Sequence, residues 1–115
     1  MYWLSCVIRT GTLESVRENL SNIGCIAITV SEVEGFGRQK GHTEVYRGAE
    51  YEVVMVPKVR VEVACSDGEL NQAIEAICDG GRSGAEGALG DGKIFVFKLP
   101  EAVRIRTGER GRDAL

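Results

Sequence analysis

Val59-Arg60-Val61-Glu62-Val63-Ala64-Cys65-Ser66-Asp67-Gly68-Glu69-Leu70 changes its period partway along. Val59, Val61, Val63 and Cys65 alternate with Arg60, Glu62 and Ala64, the pattern of a strand buried on one face. Ser66 and Glu69 then stand at the spacing of a capping box, and Leu70, Ile74 and Ile77 recur on one side of a helix. Gly80-Gly81 reads as the stop of that helix. Beyond a glycine-rich loop, Ile94-Phe95-Val96-Phe97 supplies a second apolar strand, which Pro100 closes. This half of the chain is therefore strand, helix, strand.

The N-terminal half repeats the order. Leu4 to Ile8 is a short apolar run, and Leu13, Val16, Leu20 and Ile23 follow at helical spacing, with Thr12 as the expected cap and Gly24 as the end. Ile26, Ile28 and Val30 then alternate with Ala27, Thr29 and Ser31. Two such halves predict an α+β, ferredoxin-like βαβ-βαβ sandwich: a four-stranded antiparallel sheet with both helices on one face. The uncovered face would carry Trp3, Val7 and the Thr29 set. An apolar face of that kind needs other copies of the chain to bury it, so a homo-oligomer is expected.

At 115 residues the chain reads as one domain spanning 1–115. Its formal net charge of -3 argues against a general nucleic-acid binder or an anionic-membrane binder, so any anion site must be a local cluster. No run of 18 apolar residues is present and the start lacks a basic leader, which predicts no membrane insertion and a cytoplasmic location. Cys6, Cys25, Cys65 and Cys78 are widely separated and form no C-x-x-C pair. They read as buried, reduced thiols rather than zinc ligands.

Three clusters suit anion chemistry. Gly35-Phe36-Gly37-Arg38-Gln39-Lys40-Gly41-His42 sets glycines and cations between two strands, where a core has no use for them. Gly87-Ala88-Leu89-Gly90-Asp91-Gly92-Lys93 has the spacing of a phosphate-cradling loop, but Ile94 and a strand follow where a Walker loop needs Ser or Thr and a helix. Glycine-turn amides beside a lysine still suit phosphate. In Arg104-Ile105-Arg106, alternation puts both guanidinium groups on one side with Ile105 turned inward. No oriented histidine, serine elbow or carboxylate pair supports catalysis: His42 is the sole histidine and has no evident partner.

The run from Gly35 to Tyr51, together with Pro57-Lys58-Val59, Gly90-Asp91-Gly92-Lys93-Ile94-Phe95-Val96 and Arg104-Ile105-Arg106-Thr107-Gly108-Glu109, resembles the signatures of the PII nitrogen-regulatory signalling proteins. The resemblance covers nearly the whole chain. It implies a homotrimer with nucleotide sites between neighbours, a protruding T-loop over about 37–55, a nucleotide-side loop over about 82–93 and a C-terminal loop over about 101–115. It further implies competition between ATP and ADP, and 2-oxoglutarate bound together with Mg2+ and ATP.

Carried over residue by residue, the resemblance gives Lys93, Arg104 and Arg106 to the phosphates, with Arg38 assisting. Gly37, Gly90, Asp91 and Gly92 would lie along the nucleotide, and Thr29, Glu62 and Ala64 near the adenine. Gln39 would ligate Mg2+ and 2-oxoglutarate, Lys40 would adjoin that ligand, and Lys58 would pair with its distal carboxylate. Tyr51 matches the position of reversible nucleotidylation. The implied partners are an ammonium channel, a nitrogen-control kinase and a nucleotidyltransferase, met by the loop tip near Arg47. This chain departs from the family pattern in one place above all. Arg82-Ser83-Gly84 is followed by Ala85-Glu86-Gly87-Ala88-Leu89, an apparent three-residue insertion that lacks the usual lysine.

Overall fold

The computed structural model describes residues 1–39 and 52–115; at 37–39 and 52–53 only the backbone enters the description. Its elements are β1 (Tyr2–Arg9), α1 (Leu13–Asn22), β2 (Ile28–Gln39), β3 (Glu52–Cys65), α2 (Leu70–Gly81) and β4 (Gly92–Lys98). The strands form one antiparallel sheet in the order β2-β3-β1-β4. This is the expected ferredoxin-like arrangement.

The alternation seen in the sequence sets which face is buried. Leu4, Cys6 and Ile8 of β1 and Val59, Val61, Val63 and Cys65 of β3 face the helices, and all are buried. Val16 and Leu20 of α1, with Ala73, Ala76 and Ile77 of α2, close the core from the other side. Each fully buried Leu or Val there contributes roughly 1.5–3 kcal/mol relative to exposure. Cys6, Cys25 and Cys65 are buried free thiols, as their spacing predicted, whereas Cys78 is only half-buried. Burial pushes the Cys6 thiol up to about 11.

Two helix signals differ in part from their sequence reading. Thr12 does not cap α1 through its side chain; it closes a 3-10 turn over Thr10–Thr12, and its hydroxyl donates back to the Arg9 carbonyl at 2.9 Å. Gly80-Gly81 does close α2, which ends at Gly81, but Gly80 has a second role the sequence did not show. It is where the two helices touch: a Cβ there would lie 2.8 Å from the Val16 backbone nitrogen. Asn19 reinforces the crossing by donating to the Ala76 carbonyl at 3.1 Å. The capping box at Ser66 is present, its amide and hydroxyl both donating to the Glu69 carboxylate at 3.0 and 2.7 Å.

The β2–β3 ladder is longer than alternation alone indicated. Pairing continues through Gly37↔Val54 and Arg38↔Val53 to Gln39↔Glu52. The ends of the 37–55 span are thus paired backbone. On the outer face no helix among the described residues covers the sheet. Trp3 pairs across with Phe97, and Phe95 and Phe97 remain 50% and 55% exposed. The face is aromatic at its β1–β4 side.

Candidate functional site

The connection between α2 and β4 is closed on itself by one carboxylate. Asp91 Oδ1 accepts the Ser83 hydroxyl at 2.6 Å and Arg9 Nε at 3.0 Å, and Oδ2 accepts the amides of Ser83 and Ala88 at 2.9 and 2.8 Å. These donors, the Ser83 hydroxyl foremost, hold the carboxyl well below the usual aspartate range. The loop is also tied to the sheet. Arg9 Nη2 donates to the Leu89 carbonyl at 2.6 Å, and Lys58 Nζ donates to the Gly90 carbonyl at 2.7 Å. Arg9 and Lys58 are cross-strand partners, so adjacent strands deliver two cations to one turn. Burial first, and the neighbouring Arg9 charge second, lower the Lys58 ammonium from its ordinary value.

The turn that these contacts hold ends in Gly92-Lys93. Gly90 and Gly92 have φ of 97 and 116, and a Cβ on Gly92 would fall 1.8 Å from the Val7 carbonyl oxygen. Only glycine allows the chain to pass there. Because β4 begins at Gly92, Lys93 leaves the turn in a strand, exposed and paired with Val7, in keeping with the rejection of a Walker loop. A cleft of about 690 Å³ lies behind, between this loop and the Ile74–Gly81 side of α2.

The expected adenine residues meet elsewhere. Thr29 and Glu62 are cross-strand partners, and Ala64 lies two residues along on the same outer face. Ala64 and Arg104 line a second cleft of about 1080 Å³ with the 24–27 turn and the last residues of the chain. The segment holding Arg104 leads into a turn, so the expected alternation does not run through it. The Gly108 amide donates to the Arg104 carbonyl at 2.7 Å, and Ile105, expected inward, is 99% exposed. Alternation therefore does not pair Arg104 with Arg106. Arg104 is engaged by Glu109 at 3.1 Å and by the Leu115 carbonyl at 3.2 Å, while Arg106 is exposed.

Within one chain the expected ligand residues thus form two groups. Thr29 lies on edge strand β2, with Glu62 and Ala64 on its neighbour β3; Gly92 and Lys93 lie on the opposite edge strand, β4, and Gly90 and Asp91 in the turn before it. The two edges are three strand spacings apart, roughly 14 Å. Gly37, Arg38 and Gln39 are placed only as backbone of the ladder, and Lys40, His42, Arg47 and Tyr51 lie outside the described residues. Sequence reading missed Arg9 and Ser83. Each is an ordinary polar residue until the fold brings it to Asp91.

Comparison with known proteins adds independent findings. The family described as Nitrogen regulatory protein P-II matches residues 1–109. The chain is 52% identical to the Nitrogen regulatory protein P-II of Rhodospirillum rubrum, over 97% of each chain. It is 49% identical to Nitrogen regulatory protein GlnK of Escherichia coli (strain K12), over the full length of both. Among solved structures it is similar to B. subtilis GlnK, with a TM-score of 0.77 at 35% identity over 99% of this chain and 97% of that one. The B. subtilis GlnK-ATP complex superposes equally well, with a TM-score of 0.78 at 35% identity over 99% and 96% of the two chains.

Proposed function

The chain belongs to the nitrogen regulatory protein P-II family, a family of regulators rather than enzymes, and from that membership we propose that it reads adenine nucleotides and 2-oxoglutarate in clefts between copies of itself. The reading is reported to protein targets by the 37–55 span. ATP and ADP compete for the cleft, whose phosphate side is Lys93 with the Gly90 and Gly92 turn, joined by Arg104 and Arg106 of a neighbouring copy and by Arg38. Thr29, Glu62 and Ala64 receive the base. Mg2+ sits with Gln39 and 2-oxoglutarate, whose distal carboxylate meets Lys58.

The observation that carries this reading is the separation of the two residue groups, Thr29, Glu62 and Ala64 on β2 and its neighbour β3, and Gly92 and Lys93 on the opposite edge strand β4. Neither side alone offers both a base pocket and a phosphate turn, and closing a ring of copies brings one side against the other. The half-exposed Phe95 and Phe97 beside Trp3 supply apolar surface for such contact. Nucleotide capture by this chain is in keeping with the GlnK-ATP complex among its structural relatives.

Switching follows from shared residues. Gln39 ends β2 at the root of the 40–51 segment, so a ligand that engages it favours one exit direction over another. Moving the population from 1:99 to 99:1 takes about 10⁴-fold differential affinity, or roughly 5.5 kcal/mol. A few charge-assisted hydrogen bonds formed in one state supply that much. The targets expected on this reading are an ammonium channel, a nitrogen-control kinase or a nucleotidyltransferase, and Tyr51 is the position for modification.

A second reading has its own support. Lys58 already gives its ammonium to the Gly90 carbonyl, and the lengthened loop holds that carbonyl in place. In that reading the chain binds adenine nucleotides without answering 2-oxoglutarate, or serves a different target. Calorimetry with ATP, with and without Mg2+ and 2-oxoglutarate, separates the two. The first reading predicts 2-oxoglutarate heat only when Mg2+ and ATP are present; ATP heat with no 2-oxoglutarate response selects the second.

A further inference from the structure

We propose that Asp91 is a positioning residue, whose carboxylate locks the 83–91 loop so that the Gly90-Gly92 turn and Lys93 are preset for a polyphosphate, and that it does not itself face the ligand. The proposal rests on the nucleotide reading above for its ligand and on the contacts of the loop for its mechanism. It replaces the sequence expectation that Asp91 lies along the nucleotide.

The geometry leaves the carboxylate no free role. Its two oxygens take four donors, two from Ser83, one from Ala88 and one from Arg9, which span both ends of the loop and the end of β1. A carboxylate next to a phosphate site would repel the ligand unless its charge were answered, and Arg9 Nε answers it from 3.0 Å. The lock bears on the turn directly. Asp91 stands between Gly90 and Gly92, both at positive φ, and its own amide donates to the Ala88 carbonyl at 3.2 Å. Arg9 spans the same turn by taking Leu89, and Lys58 takes Gly90. The apparent insertion that lengthens this loop makes such a lock more necessary, because a longer loop has more conformations to lose on ordering.

The two possible roles of the aspartate predict opposite signs. If Asp91 sets the turn, Asp91→Asn weakens ATP binding by about tenfold or more, because an amide cannot accept the four donors and leaves amides unpaired. If Asp91 merely faces the phosphates, the same change removes a repulsion and strengthens binding. Ser83→Ala, which keeps the carboxylate and removes only the hydroxyl donor, weakens ATP roughly threefold to tenfold under the proposal. It carries the comparison should Asp91→Asn fail to fold.

The experiment is calorimetry of ATP binding to the full chain and both variants, paired with amide hydrogen exchange in the absence of nucleotide. The expected result is weaker ATP binding together with exchange at Ser83 and Ala88 that is at least about tenfold faster in the variants. Unchanged or tighter ATP binding in a folded variant overturns the proposal. Rapid exchange of the Ser83 and Ala88 amides in the wild-type chain overturns it as well, because then no lock exists. A wild-type chain that ignores ATP refutes the nucleotide reading instead, and the exchange comparison still decides whether Asp91 orders the loop.

Discussion

Lys58 and Asp91 show how far single residues were legible. The sequence marks Lys58 only through its resemblance to the PII signatures, and it marks Asp91 through its place in a glycine turn. What it could not supply was their partners, since Lys58 meets Gly90 and Asp91 meets Arg9 and Ser83 only after the sheet has formed. Lys58→Ala should abolish 2-oxoglutarate binding and cost ATP binding far less than Asp91→Asn, because it removes a single contact on the turn; unchanged 2-oxoglutarate affinity by calorimetry refutes that assignment. The Asp91 environment makes a pH prediction. Its folded pKa is depressed, so the lock's contribution to stability is fully present above the ordinary aspartate value of about 3.9 and is lost as pH falls toward the lowered folded value. The Ser83 and Ala88 amide resonances should hold steady from neutral pH down to about 4 and move only below it. A titration midpoint near 4 would mean a free carboxylate.

Among the elements, period was legible wherever the signal was local, and of the two expected caps Ser66 holds while Thr12 turns its hydroxyl back to Arg9. Both helices, all four strands and the Ser66 capping box follow from the alternation and spacing of nearby residues. What local reading left out lay where a residue answers to something distant. Gly80 looks like a helix stop because glycine weakens helices, yet its neighbour is the Val16 backbone across the crossing, and the small residue is kept for contact. Gly80→Ala should therefore destabilise the fold by about 1–3 kcal/mol through overpacking, despite alanine's better helix propensity. Urea denaturation decides this, and a stabilised variant would show that the helices have room. Ile105 failed for a related reason: alternation was extended through a segment that turns at Arg104–Gly108, so the side of each residue could not be counted from its neighbour.

At the scale of the whole molecule, the covered face of the sheet was legible because two amphipathic helices must bury their apolar stripes, and only one face accommodates both. The uncovered face, with Phe95 and Phe97 half exposed, and the division of candidate ligand residues between the β2–β3 side and the β4 edge both point outside a single chain. A member of the P-II family that joins these sides between copies should form a closed ring whose nucleotide capacity depends on its neighbours. The most direct test mixes two defective variants, Lys93→Ala and Arg104→Ala, unfolds and reassembles them together, and counts bound ATP. If each cleft takes Lys93 from one copy and Arg104 from the next, neither variant alone binds well, and random mixing restores about a quarter of the wild-type capacity. Restoration of no sites at all, with both variants assembled normally, would contradict a cleft built from two copies.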